Sequence, residues 1–179
     1  DGIVEVERDT AFDDERMRSA GIRLKYKPIN AVPDGVKEGV LLEAGFDQVA
    51  PNSPCDFTSW AYAHAIESGI SGITDNRALG VPCYNPEYTL VEKLHAISRK
   101  FRQQQASGSM PQNFMRHYYD VYCLLDHGPV VAFIGTDDYQ THKAAKFTQN
   151  DEPDLTTNEA FVLSDVDTRA LYESAYDLS

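Results

Sequence analysis

Between residues 89 and 116 five basic side chains, Lys93, Arg99, Lys100, Arg102 and Arg116, stand against one acid, Glu92. The whole chain of 179 residues has a net charge of −12, so this local excess of cations runs against its background. Ammonium and guanidinium groups at such density suit phosphate, lysine as a compact charge and arginine as a bidentate fork. A solvated helix face can have the same composition, and composition alone does not separate the two. Arg116 and Asp120 lie one helical turn apart, and His117 is three residues before the same carboxylate. An acid flanked by two potential donors could be a fixed polar site. The spacing also describes an ordinary surface pair.

Other chemistries find little support. The five histidines, His64, His95, His117, His127 and His142, show no His-x-x-x-His spacing, and there is no Gly-x-Ser-x-Gly elbow or Gly-rich phosphate loop. Asp165-Val166-Asp167 has the spacing of a metal-binding pair, but it follows Ser164 and opens a helical stretch where acids suit the helix dipole. Cys55, Cys83 and Cys123 are odd in number, far apart in sequence and without a Cys-x-x-Cys pair. They argue for a reducing compartment, and a cytoplasmic address follows from the lack of a signal peptide. The acidic balance opposes a general nucleic-acid or acidic-membrane binder, since phosphates would be repelled by most of the surface.

The elements that must hold these residues are legible in the hydropathy pattern. Ile22, Leu24 and Tyr26 alternate with Arg23, Lys25 and Lys27, which predicts a half-buried strand with one basic face. Residues 32–35 are a turn signal, and a second strand follows at 40–46, with Glu43 opposite the face of Val40, Leu42, Ala44 and Phe46. Pro51 and Pro54 suggest a long connection, followed by a helix over 58–67, a loop over 69–76 and a short strand over 78–84. Leu90, Leu94, Ile97 and Phe101 then recur at helical spacing and predict a long helix with one buried stripe. Residues 103–113, with Ser107-Gly108-Ser109 and Pro111, read as a mobile loop. Phe114, Tyr118, Val121, Tyr122 and Leu125 predict an unbroken apolar face that stops at His127-Gly128-Pro129, with short helices at 129–134, 136–147 and 165–177.

Two of these segments carry a family resemblance. Pro86-Glu87-Tyr88-Thr89-Leu90-Val91-Glu92-Lys93-Leu94-His95-Ala96-Ile97, with Phe101-Arg102, resembles the Glu-Lys-Leu-x-Ala helix of nucleotidyltransferase toxins of the abortive-infection (AbiEii/AbiGii) type. Asn113-Phe114-Met115-Arg116-His117-Tyr118-Tyr119-Asp120-Val121-Tyr122 resembles that family's Arg-His-x-x-Asp-hydrophobic-Tyr helix. The likeness spans roughly residues 36–176 in one order.

The resemblance implies an α+β fold: a small mixed sheet in a partial nucleotidyltransferase core over 1–85, then a helical C-terminal domain over 86–179. It implies transfer of a nucleotidyl group from an NTP, with Mg2+, to an acceptor such as RNA, and a separate antitoxin as partner. Lys93 would contact the NTP phosphates, Asp120 would orient Lys93, Arg116 and Arg99 would bind phosphate, and Glu43 would be a further carboxylate near the metal. The family's Gly-Ser turn and following Asp-x-Asp pair have no counterpart in residues 1–42. The expectation is therefore a C-terminal portion of such an enzyme, inactive by itself, whose metal ligands lie mostly outside this chain. The alternative is a non-catalytic helical module that binds nucleotide, RNA or a protein partner.

Overall fold

The computed structural model describes residues 2–13, 16, 18–31, 38–47, 49–111 and 113–177, so the turn expected at 32–35 lies outside the described residues. The architecture is α+β, and the chain divides into two units, residues 1–48 and 49–179.

The first unit is a three-stranded antiparallel sheet in the order β1 (Ile3–Asp9), β2 (Ser19–Tyr26), β3 (Val40–Gly45). Its register pairs Val6 with Leu24 and Ile22 with Leu42. The alternation on β2 was visible in the sequence, but its faces are reversed. Ile22 and Tyr26 are exposed while Arg23 is buried, because the Arg23 guanidinium donates to Asp9 Oδ2 from Nε and from Nη2 at 2.7 Å. A buried cation needs such a partner, and the strand end supplies it. Gly39 enters β3 at φ +91°, where a Cβ would lie 2.5 Å from the Leu24 carbonyl oxygen, so only glycine fits.

The second unit opens with an antiparallel ribbon of β4 (Asn52–Phe57) and β5 (Ala78–Tyr84), joined through α1 (Trp60–Glu67). β4 replaces the connection expected around Pro51 and Pro54. Proline usually argues against a strand, but Pro54 sits opposite Pro82, at a rung that needs neither N–H. Cys55 and Cys83 are neighbouring free thiols on this ribbon, and desolvation followed by the Cys55 hydrogen bond pushes the Cys83 thiol up.

Six helices follow: α2 (Pro86–Ser107), α3 (Arg116–Leu125), α4 (Gly128–Phe133), α5 (Asp137–Lys146), α6 (Glu159–Val162) and α7 (Val166–Asp177). The long α2 is the axis of the core. Ile97 packs with Phe114, Met115, Ala160 and Tyr172, while Leu90 and Leu94 pack with Val130 and Phe147. Val121 and Phe161 touch both groups and join them. Asp165 accepts from the Thr168 amide and starts α7, as the helix-start reading expects.

Two expectations change here. Residues 103–107 continue α2 instead of opening a loop, because Gln104 is buried and accepts from the Tyr172 hydroxyl at 3.2 Å; the helix ends at Gly108, in the left-handed region. The connection is therefore short, and Met110 within it packs on the core. The apolar face of α3 is also interrupted. Tyr118 and Val121 pack inward, whereas Tyr122 is 65% exposed and Leu125 is exposed as well. Gly128 and Pro129 start α4, where proline's missing N–H costs nothing. No helix among the described residues is long and apolar enough to cross a membrane.

Candidate functional site

Helices α2 and α3 each carry a polar edge beside their buried residues. Leu90, Leu94 and Ile97 fix one face of α2, and Lys93, one position before Leu94, emerges at its margin. Phe114 and Met115 are buried just ahead of α3 and anchor its start, with Arg116 exposed as its first residue. One turn further on, Asp120 meets α2. Lys93 Nζ donates to Asp120 Oδ2 at 2.6 Å, and the two side chains are 30% and 34% exposed. The pair is thus held between helices yet open to a ligand. Asp120 takes one of the three N–H donors of the ammonium.

His117 adjoins the pair. Its Nδ1 is sealed from water and has no hydrogen-bond partner. Burial pushes its pKa below the ordinary histidine value, Lys93, Lys100 and Arg116 push in the same direction, and Asp120 opposes them. Lys93 and Lys100 are seven residues apart and share one face of α2. That spacing was available in the sequence, although Lys100 was counted there only within the charge excess.

Arg99 is exposed and, six residues from Lys93, stands about 120° around α2. Glu43 is exposed on β3, in the first unit, paired across to Gly21 on β2. Arg102 leaves the cationic group altogether. Its guanidinium bonds the Asn150 carbonyl and pairs with Asp151 Oδ1, in the connection between α5 and α6. Glu92 is also engaged, accepting from Lys146 at 2.7 Å beside His142 and Tyr84.

Asp151 has a fully buried side chain. Burial pushes its carboxyl up, but the Thr148 amide and hydroxyl, with Arg102 and His95, outweigh that and hold it below its ordinary value. Asp151→Ala is expected to destabilise the chain by about 1.5–3 kcal/mol, since it removes a fully buried carboxylate that accepts charge-assisted hydrogen bonds from the Thr148 amide and hydroxyl and pairs with Arg102. A group with a depressed folded pKa contributes fully above its unfolded value, near ~4, and loses that contribution as pH falls through the folded value. The urea-midpoint gap between wild type and Asp151→Ala should therefore shrink in acid below about pH 4. Equal midpoints at pH 7 would refute this account.

The family described as nucleotidyl transferase AbiEii toxin, type IV TA system, matches residues 1–177. No curated protein and no solved structure matches the chain.

Proposed function

The chain belongs to the AbiEii nucleotidyl transferase toxin family of type IV toxin–antitoxin systems, and on that footing we propose that α2 and α3 form the phosphate-binding wall of its nucleotide site. The observation that carries this reading is the 2.6 Å contact of Lys93 with Asp120 between the two motif helices. Lys93 holds phosphate oxygens of the incoming NTP, and Asp120 fixes the ammonium's direction. Arg116 and Arg99 add bidentate or long-range attraction from the helix surfaces. Glu43 is proposed as a further carboxylate of the catalytic machinery.

In the reaction, an acceptor hydroxyl, proposed to be on RNA, forms a bond to the α-phosphorus and loses its proton. The α–β bridging oxygen leaves with pyrophosphate, whose charge Lys93 offsets. A separate antitoxin is the proposed regulatory partner.

Magnesium supplies charge compensation at the phosphates when bound. The residues around Lys93 do not fit it: the carboxylate there, Asp120, is already committed to an ammonium, and no three potential ligands converge among the described residues. We place its ligands outside this pair. The proposed consequence is that this chain binds NTP but does not transfer it.

Incubation with labelled NTP, magnesium and total RNA should therefore leave the RNA unlabelled, while equilibrium dialysis shows NTP binding that weakens steeply with salt. Label transfer that is lost in Lys93→Ala would mean that a metal site exists in this chain. Salt-insensitive binding, equal in wild type, Lys93→Ala and Arg116→Ala, would remove the phosphate wall. Binding without transfer also suits the second reading, a non-catalytic module that binds nucleotide, RNA or a protein partner. Transfer by a longer chain carrying an Asp-x-Asp strand would decide for the enzyme.

A further inference from the structure

We propose that His117 couples occupation of the Lys93–Lys100–Arg116 cluster by a polyphosphate to the uptake of one proton. The inference rests on the nucleotide-site reading and extends it to a residue for which that reading has no use. Its basis is an arrangement of charges and an unsatisfied atom.

The charged groups acting on the imidazole come from the two helices that form the site: Lys93 and Lys100 from α2, Arg116 and Asp120 from α3. The neighbouring α4 has no ionisable side chain; α7 sets Tyr172 against Tyr118 and Tyr176 against Tyr119, and its Glu173 and Asp177 line the same groove as Met115 and Tyr118. Three cations thus oppose one carboxylate, which is itself engaged with Lys93 at 2.6 Å. An imidazolium would add a fourth positive charge to this group. It would also need an acceptor at Nδ1, which is cut off from water and without a partner. In the free site the neutral ring is favoured on both counts, in line with its lowered pKa.

A bound polyphosphate reverses the balance. Its several negative charges offset Lys93, Lys100 and Arg116, so the field opposing a proton on His117 falls or changes sign. The occupied site then holds a proton that the free site releases. By linkage, affinity rises as pH falls between the occupied-site pKa and the lower free-site pKa. It is flat above that window, where His117 is neutral in both states, and flat below it, where the ring is charged in both. Within the window the slope approaches about tenfold in affinity per pH unit for one proton.

The experiment is calorimetric titration of the full 179-residue chain with ATP from pH 5.5 to 8.5, without divalent cation and in two buffers of different ionisation enthalpy. His117→Gln is titrated in parallel. Titration of ATP itself is common to both proteins and cancels in the difference. Wild type should take up close to one more proton than His117→Gln in the acidic part of the range, with matching affinities near pH 8. The wild-type His Cε1–H resonance that is missing from His117→Gln should titrate at higher pH with ATP than without it. Assigning that resonance through bond connectivities in the wild-type chain keeps this readout independent of how the variant folds. Binding with the same proton uptake in both proteins, or a resonance whose titration ATP does not move, overturns the coupling while the nucleotide site stands. No ATP binding by wild type at any pH overturns both.

Discussion

Lys93→Ala is expected to weaken binding of a nucleoside triphosphate by about tenfold to a hundredfold, the loss that removing a charge-assisted hydrogen bond of ~1.5–3 kcal/mol brings. The replacement also leaves Asp120 without its cation, so a carboxylate then faces the phosphates directly. Asp120→Asn behaves differently. It removes a negative charge from the site and leaves Lys93 its full charge but a weaker tether, so binding changes little and the orientation of the ammonium suffers. The expected split is therefore a raised Kd for Lys93→Ala and, wherever transfer is measurable, a lowered kcat for Asp120→Asn. The double variant should lose no more transfer than Lys93→Ala alone, because the carboxylate acts through the ammonium. Dialysis and single-turnover transfer measure the two effects separately. Additive losses from the two substitutions would mean that Asp120 has a role independent of Lys93.

The polar pair was legible in the sequence because its two helices are. Leu90, Leu94 and Ile97 repeat at 3.6-residue spacing, so the edge positions they leave for Lys93 follow from geometry. Asp120 was placed by the same logic one residue before Val121, which packs into both core groups. What periodicity does not convey is the partner of a polar residue. Gln104 looked like part of a soluble hinge, yet Tyr172, 68 residues further along the chain, supplies the donor that lets it lie in the core. Arg102 looked like a member of the cationic cluster, yet Asp151 draws it into another connection. Arg23 looked like the wet side of β2, yet Asp9 makes burial of its guanidinium tolerable. Each misreading concerns a polar side chain whose fate depends on a group remote in sequence. The β4 strand was hidden for a related reason, since Pro54 is acceptable only because it falls at a rung of the β4–β5 ribbon that needs no N–H.

Phe114→Ala should be the most damaging single truncation in α3 and its approach, costing about 3–5 kcal/mol. Phe114 is 1% exposed and belongs to the core group of Ile97, Met115, Ala160 and Tyr172. Its ring lies 5.6 Å from that of Tyr118 and meets Tyr172 edge-on at 5.7 Å, contacts that alanine cannot replace. Tyr122 lies on the same stripe as read from the sequence, but it is exposed, so Tyr122→Ala should cost no more than ~0.5 kcal/mol. Urea denaturation followed by circular dichroism would compare them directly. Equal midpoints for the two variants would show that the stripe is not divided as the structure has it. The consequence reaches the site, because the His117 amide donates to the Phe114 carbonyl at 3.1 Å, and the buried ring fixes where α3 begins. For a domain with ~5–15 kcal/mol of stability, Phe114→Ala leaves a folded population whose α3 start is loosened. ATP binding should therefore fall in Phe114→Ala under conditions where Tyr122→Ala binds normally, although neither side chain touches the nucleotide. Normal binding by a folded Phe114→Ala would show that Lys93 and Asp120 find one another without this anchor.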